Sequence, residues 1–204
     1  MDRKRNITRS AILLSGGIDS TAIAYWIRPK FAITIDYGQA SAKGEIRAAT
    51  KVASRLRIRH EIISVDCSAL GAGDLALAPQ AKDAPAPEWW PFRNQLLVTL
   101  AAMRAYALGC SELIVGSLKS DSFHLDGTKA FYRKLDAVLS MQEGNIRISV
   151  PAISFTAMQL IKTSRVPISL LGWTHSCHKA EYACGQCRGC NKHLQVMEEL
   201  LYDT

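Results

Sequence analysis

Seven consecutive residues near the amino terminus combine hydroxyl, glycine and carboxylate groups in a spacing that suits a phosphate. They read Ser15-Gly16-Gly17-Ile18-Asp19-Ser20-Thr21 and have apolar runs on both sides. The first run predicts a buried strand at 11–14, and the second predicts a helix that reaches Ile27 and is stopped by Pro29. Glycine suits such a turn because it adopts positive φ freely and lets the backbone approach a ligand closely. Free N–H groups and the helix dipole at the start of the helix favour an anion.

This glycine turn is not a Walker-type phosphate loop, because no lysine follows the glycines. It resembles the PP-loop of the ATP pyrophosphatase superfamily, whose members cleave ATP between the α and β phosphates. An incidental β–α turn is the alternative, but six positions match and a strand and a helix flank them. The resemblance implies an ATP-binding set of Leu14, Ser15, Gly16, Gly17, Ile18, Asp19, Ser20 and Thr21.

The rest of the chain alternates between strand and helix patterns. Further strands are predicted at 31–36, 61–65, 112–116 and 146–150, and further helices at 42–56, 94–108, after Thr128 and near 156–164. This alternation indicates a parallel sheet with right-handed crossovers. We expect an α/β fold with a doubly wound, five-stranded parallel sheet of the PP-loop or HUP-like type, also called adenine nucleotide alpha hydrolase-like. A PP-loop domain at 1–170 would carry a small four-cysteine element with a helix at 171–204.

Residues 68–92 interrupt this alternation with a stretch rich in Ala, Gly and Pro that ends near Trp89 and Trp90. So long a loop inside a compact domain is usually functional or disordered. We expect a lid on the substrate side, because large apolar rings usually cover something, and a passive insertion is the alternative. The loop shares the carboxyl edge of the sheet, where such folds bind ligands, with the glycine turn, residues 36–39 and residues 117–127.

Composition and charge are those of an ordinary globular protein. The 204 residues are 48% hydrophobic and 21% charged. The basic segment Met1–Arg5 is not followed by an apolar segment of signal length, and Ala11–Leu14 is too short to span a bilayer. We therefore expect a cytoplasmic protein with no membrane contact. The net charge of +7 favours anionic partners such as nucleotides, nucleic acid or acidic proteins, although a solvated basic surface explains it equally well.

Four cysteines near the carboxyl terminus have the spacing of a metal site. They are Cys177, Cys184, Cys187 and Cys190, which form two overlapping C-x-x-C pairs after the first cysteine. Such spacing brings thiolates together as a tetrahedral Zn²⁺ ion requires, so we expect a structural zinc site. An iron–sulfur cluster or a redox dithiol are the alternatives.

The order of motifs resembles the 7-cyano-7-deazaguanine synthases, the QueC family of the queuosine pathway. After the glycine turn the matching segments are Tyr37-Gly38-Gln39, Pro91-x-Arg93-Asn94, Gly116 with Asp121, Pro151, and Trp173-Thr174-x-Ser176-Cys177 before the remaining cysteines. The resemblance covers nearly the whole chain. It implies that ATP adenylates the carboxylate of 7-carboxy-7-deazaguanine, that ammonia converts the adenylate to an amide, and that a second activation gives the nitrile preQ0.

The resemblance also implies roles for individual residues. Asp19 and Asp121 would act on the metal or phosphate side with Mg²⁺, and Arg93 would contact phosphate or the substrate carboxylate. The implied catalytic residues are Asp19, Arg93 and Asp121, and the implied substrate-binding residues are Tyr37, Gln39, Arg93, Asn94, Lys119 and Asp121. We expect no glutaminase domain, so ammonia would be free or come from a partner, and the family suggests a homodimer.

Three segments depart from the family pattern. Leu118 stands where the family has Asn, and the Pro, Cys and Arg of the following substrate motif are absent. Thr156-Ala157-Met158-Gln159 lacks the two charges of the family's Thr-Lys-Ala-Glu, and His193 replaces an Arg. A divergent preQ0 synthase therefore competes with a paralogue, of a DNA-modification or antiphage system, that attaches a deazaguanine to a protein or nucleic acid. A non-catalytic nucleotide-binding subunit is the third alternative.

Overall fold

The computed structural model of the protein describes residues 9–202, so the basic segment Met1–Arg5 lies outside the described residues. Five parallel strands form one sheet in the order β3-β2-β1-β4-β5. The strands are β1 Ser10–Leu13, β2 Phe31–Asp36, β3 Arg59–Ser64, β4 Glu112–Ile114 and β5 Arg147–Ser149. The order reverses between β1 and β4, which is where a doubly wound sheet opens a ligand crevice. The expected fold class is confirmed.

The helices lie on both faces of the sheet. They are α1 Ile18–Ile27, α2 Ala42–Leu56, α3 Gly73–Ala76, α4 Arg93–Ala107, α5 Lys129–Ser140, α6 Ala157–Ser164, α7 Ile168–Leu171 and α8 Arg188–Tyr202. The predicted helices at 42–56 and from the glycine turn to Ile27 end where α2 and α1 end. The side chain of Thr128 accepts a hydrogen bond from Phe131 N, 3.2 Å away. Thr128 therefore caps the start of α5, which is a common role for a hydroxyl side chain. No helix among residues 9–202 is both long and apolar enough to cross a bilayer.

Alternate residues of β1 face two separate hydrophobic cores. Ile12 belongs to the core formed with α1, α2, α6 and α8, whereas Ala11 belongs to the core formed with α4 and α5. Both residues are fully buried. A parallel strand covered on both faces reads as a continuous apolar run, which explains why 11–14 shows no alternation with polar residues.

The segment 68–92 packs on the end of β2. Its Leu75 is 2% exposed and its carbonyl accepts a hydrogen bond from Ala40 N, 2.8 Å away. Trp90 is buried and meets Tyr37 edge-on, with ring centroids 4.9 Å apart. An edge-to-face aromatic pair adds to the burial of both rings, so this end of the segment is anchored to the sheet.

The four-cysteine element packs on the rest of the described chain at several places. The backbone N–H of His175 donates to Gly16 O over 2.9 Å, which ties the start of the element to the glycine turn. Val196 and Leu200 of α8 are buried in the same hydrophobic core as Ile12. The carboxyl-terminal helix is therefore part of the fold and reaches the edge of the sheet that carries the loops.

Candidate active site

A cleft of about 400 Å³ opens at the carboxyl edge of the sheet. Its walls come from the glycine turn, the end of β2, the segment 68–92, the loop after β4 and the four-cysteine element. The four loops that the sequence predicts to converge there all contribute lining residues. The fifth wall, from the cysteine element and α8, was not predicted from the sequence.

The glycine turn forms one wall of the cleft. Gly16 has φ +77, and a Cβ built on it would lie 2.7 Å from Glu45 O and 2.8 Å from Ala49 N, so no other residue fits without displacing backbone. The hydroxyls of Ser15 and Ser20 lie 3.2 Å apart, and Ser20 Oγ also donates to Gly17 O over 3.2 Å. The turn thus places hydroxyl groups and the first backbone N–H groups of α1 side by side.

Asp19, in the first turn of α1, pairs with a residue of α8. Its Oδ2 accepts a hydrogen bond from Lys192 Nζ over 2.9 Å. Burial raises the pKa of Asp19, and the adjacent Lys192 ammonium opposes that rise. Asp19 Oδ1 and Thr21 Oγ1 are buried and have no hydrogen-bond partner in the described part of the chain. Buried oxygens of this kind are costly unless a ligand supplies a partner.

Arg93 lies at the start of α4, against Tyr37. Burial opposes the charge of Arg93, but Tyr37 and the carboxylates of Asp126 and Glu45 raise its pKa. Burial in turn raises the pKa of Tyr37, which stays protonated. The next residue, Asn94, donates from its side chain to Asp126 O over 3.1 Å. The guanidinium is therefore held as a fixed positive charge in the cleft.

Asp121 lies in the loop after β4 and also lines the cleft. Its Oδ2 accepts hydrogen bonds from Leu118 N over 2.8 Å and from Ser117 Oγ over 3.3 Å. Asp121 and Asp19 are close enough for the charge of Asp121 to raise the pKa of Asp19. Two carboxylates thus lie on the same side of the cleft.

Two predicted substrate-binding residues do not line the cleft. Gln39 is buried below Tyr37, where its Oε1 accepts from Tyr37 N over 2.9 Å and its Nε2 donates to Ile35 O over 3.2 Å. Lys119 is exposed at the start of a 3₁₀ turn. The other four predicted substrate-binding residues line the same cleft: Tyr37, Arg93, Asn94 and Asp121. Gln39 instead supports the turn after β2.

The residues that depart from the family pattern have local structural roles. Leu118 is fully buried in the hydrophobic core and does not line the cleft. Thr156 and Gln159 form a reciprocal cap at the start of α6, with hydrogen bonds of 3.2 Å and 2.9 Å. His193 does line the cleft, and its Nδ1 lies 3.0 Å from Ser176 Oγ.

Sequence reasoning missed a polar cluster that also lines the cleft. Glu88 is buried, and its Oε1 accepts a hydrogen bond from Arg188 Nη1 over 3.0 Å and lies 3.8 Å from His124 Nε2. His178 is close by, and burial lowers its pKa. Glu88 lies in the proline-rich segment, whose sequence carries no periodic signal, so only the three-dimensional structure brings these residues together.

The four cysteines form a compact cluster. Their sulfur atoms all lie within 4.8 Å of one another, and the Cys184–Cys190 and Cys177–Cys187 pairs are each 3.9 Å apart. The backbone N–H groups of His178 and Cys190 point at Cys187 Sγ, at 3.3 Å and 3.4 Å. The cluster can therefore bind a metal, as the spacing of the cysteines predicted.

Comparisons with known proteins agree with this arrangement. The family model described as queuosine biosynthesis protein QueC matches residues 9–201. A 7-cyano-7-deazaguanine synthase of Desulforudis audaxviator is 34% identical, with 90% of this chain and 94% of that protein covered. Proteins of the same name from Acidobacterium capsulatum and Picrophilus torridus are each 30% identical, with 94% and 95% of this chain and 92% and 88% of those proteins covered.

Two solved structures share the fold at low sequence identity. The U34-tRNA thiolase NcsA of Methanococcus maripaludis, solved with its [4Fe-4S] cluster, has a TM-score of 0.56 at 15% identity, covering 97% of this chain and 67% of that one. The NMN synthetase of Francisella tularensis has a TM-score of 0.51 at 18% identity, covering 95% of this chain and 76% of that one. The match to the family model over almost all described residues is decisive: the chain is a member of the QueC family.

Proposed function

We propose that the protein uses ATP to activate the carboxylate of 7-carboxy-7-deazaguanine and converts it, with ammonia, to 7-cyano-7-deazaguanine. The observation that carries the proposal is the glycine turn, which lines the same cleft as Arg93 and Asp121. Membership of the QueC family supports the substrate, because relatives at 30–34% identity are named for that product.

The ATP end of the cleft would be the glycine turn and the start of α1. Backbone N–H groups at a helix start, with the hydroxyls of Ser15 and Ser20, would bind the phosphates. Asp19 Oδ1 and Thr21 Oγ1 are buried atoms that have no hydrogen-bond partner within residues 9–202. A Mg²⁺ ion bound with the nucleotide would supply a partner for the carboxylate oxygen, and a phosphate oxygen would accept from the Thr21 hydroxyl. Mg²⁺ is held in such sites by one or two carboxylates and by phosphate oxygens, and Asp19 and Asp121 fit that requirement.

The chemistry follows from the weakness of a carboxylate as an electrophile. The substrate carboxylate attacks the α phosphorus of ATP, pyrophosphate leaves, and the acyl adenylate then has AMP as a good leaving group. Ammonia displaces AMP and gives the amide. A second ATP adenylates the amide oxygen with release of pyrophosphate and one amide proton, and departure of AMP with loss of the remaining nitrogen proton leaves the nitrile. Arg93 is the fixed positive charge that would orient the substrate carboxylate or stabilise the phosphate oxygens.

The cysteine cluster would hold a structural zinc ion. Tetrahedral Zn²⁺ with Zn–S bonds of ~2.3 Å separates its sulfur ligands by about 3.8 Å. The observed Sγ–Sγ distances of 3.9 Å suit that geometry. A four-iron cluster binds each cysteine through a different iron atom and requires sulfur atoms that lie farther apart. The ion would fix the element that carries Lys192 and Arg188.

The test is pyrophosphate release from ATP in the presence of 7-carboxy-7-deazaguanine and ammonium. We expect release that depends on the deazaguanine, with 7-cyano-7-deazaguanine as the final product by mass spectrometry. Asp19→Ala should abolish release, whereas Asp83→Ala, at an exposed position of the segment 68–92, should leave it unchanged. No pyrophosphate release by the folded wild-type protein would refute the proposal.

A second candidate keeps the activation step and changes the acceptor. The net charge of +7 and the loss of the family's substrate motif after Gly116 favour a macromolecular acceptor, either protein or nucleic acid. In that case mass spectrometry would find the deazaguanine attached to a neighbouring protein or nucleic acid. The free nitrile as sole product would exclude this candidate.

A further inference from the structure

Three buried polar atoms on residues that line the cleft have no hydrogen-bond partner among the described residues. They are Glu88 Oε2, His124 Nδ1 and His178 Nδ1, and we call them the three open atoms. They are separate from the two oxygens of the glycine turn that suit ATP. Buried polar atoms in folded proteins are nearly always hydrogen-bonded, so three in one cleft indicate a second group of ligand contacts.

Glu88 is held in position by a residue of α8. Its side chain is 10% exposed, and Arg188 Nη1 lies 3.0 Å from Oε1. His124 Nε2, at 3.8 Å from the same oxygen, is too far away for a hydrogen bond. The Arg188 contact uses one acceptor position of the carboxylate, which has about four, and leaves Oε2 free. The carboxylate is therefore a fixed, largely dehydrated acceptor.

We propose that Glu88 recognises the 2-amino-4-oxopyrimidine edge of the deazaguanine substrate, an inference that rests on the proposed function. This edge carries a ring N–H beside an exocyclic amino group, two parallel donors that match the two oxygens of one carboxylate. The adjacent ring carbonyl requires a donor, which an Nδ1–H of His124 or His178 supplies. Glu88 Oε2, the remaining acceptor capacity of Oε1 and one of the two histidine Nδ1 atoms thus match the two donors and the acceptor that distinguish a guanine-type ring.

The surrounding residues suit a flat heterocycle. Trp89 follows Glu88 in the chain, is half-buried and lines the cleft. Trp90 is fixed against Tyr37, which lines the same cleft beside Arg93. Aromatic walls favour an aromatic ring over an aliphatic ligand of similar size. The segment 68–92 therefore contributes the specificity of the cleft as well as one of its walls.

The test compares two ligands by isothermal titration on the metal-loaded protein: 7-carboxy-7-deazaguanine and 7-carboxy-7-deazahypoxanthine, which lacks the amino group. We expect the wild-type protein to bind the first ligand at least about tenfold more tightly, because a bidentate contact typically provides discrimination of that size. Glu88→Gln should reduce this ratio to about twofold or less while ATP affinity is unchanged. The matched control is Asp74→Asn. It removes the negative charge from the 3.0 Å contact between Asp74 and Lys179, which joins the same two segments, and it should keep the full ratio.

Four outcomes overturn the inference. Equal binding of both ligands by the wild-type protein overturns it without any variant, so the test does not depend on how Glu88→Gln folds. An unchanged ratio in Glu88→Gln, or an equal loss of the ratio in Asp74→Asn, overturns it while the proposed function stands. Failure of the wild-type protein to bind either ligand overturns the proposed function as well. The absence of any binding distinguishes this outcome from the other outcomes.

Discussion

Lys192 Nζ lies 2.9 Å from Asp19 Oδ2 and joins the helix after the four cysteines to the glycine turn. The two residues are far apart in the sequence, and both line the cleft. His175 N, bound to Gly16 O at 2.9 Å, makes a second connection between the same two segments. The four-cysteine element is therefore positioned to support the glycine turn.

Replacing Lys192 by Ala should weaken ATP binding. Lys192 opposes the burial that raises the pKa of Asp19, so its loss would raise that pKa further and disfavour the carboxylate that we assign to Mg²⁺. We expect about a tenfold loss of affinity for Mg–ATP, or about 1.4 kcal/mol, by isothermal titration. Lys134→Ala, which removes an equal charge at an exposed position of α5, should bind as the wild-type protein does. Equal affinities of the two variants would contradict a role for Lys192.

Removing the metal should reduce ATP affinity as well as stability. We expect one zinc ion per chain by elemental analysis, and its loss in Cys187→Ser, because Cys187 is buried in the cluster. Without the ion the segment that carries His175 and Lys192 loses its fixed position, so its contacts to Gly16 and Asp19 weaken. Titration of ATP before and after chelation measures this effect. Iron in place of zinc, or unchanged ATP binding by the metal-free protein, would count against the prediction.

The part of the cleft formed by the glycine turn was predictable from the sequence, and the part that contains Glu88 was not. Gly16 and Asp19 belong to one contiguous motif whose local backbone determines its geometry, and Arg93 lies in a recognisable helix start. Glu88 and Arg188 are a hundred positions apart, and neither belongs to a periodic pattern, so their contact depends on the packing of a proline-rich segment against the cysteine element. Gln39 is the converse case. The family motif contains it, so the sequence predicts substrate binding, but its side chain hydrogen-bonds to the backbone around the end of β2.

Replacing Gly16 by Ala should destabilise the protein more than the same change at another glycine with positive φ. Gly16 has φ +77, and an added Cβ would lie 2.7–2.8 Å from atoms of Glu45, Ala48 and Ala49. Left-handed φ and overpacking together predict a loss of about 3 kcal/mol in the free energy of unfolding. Gly109 has φ +69, and its added Cβ would lie no closer than 3.6 Å to Arg9, so Gly109→Ala should cost about 1 kcal/mol. Urea unfolding of both variants measures the difference, and equal losses would show that the contact with α2 is unimportant.

Asp136 stabilises the fold in a pH-dependent way, because its carboxylate joins α5 to β5. Oδ1 accepts from Arg147 Nε at 3.1 Å and from Ile148 N at 2.7 Å, and Oδ2 accepts from Arg147 Nη2 at 2.5 Å. Arg147 holds the pKa of Asp136 below its ordinary value. The ionised form is thus favoured in the folded state, so the stabilisation is present above the unfolded-state pKa of about 3.9 and is lost as the pH falls through the folded-state value.

Asp136→Asn should therefore cost about 1 kcal/mol of unfolding free energy near neutral pH, a modest value because the Arg147 side chain is 62% exposed. The cost should shrink at about pH 3, below the unfolded-state pKa of about 3.9, because the carboxyl of the unfolded chain is already protonated there. Urea unfolding at both pH values measures it, with Asp83→Asn as the exposed control that should match the wild-type protein at each. A loss of equal size at both pH values would mean that the shape of the side chain, and not its charge, provides the stability.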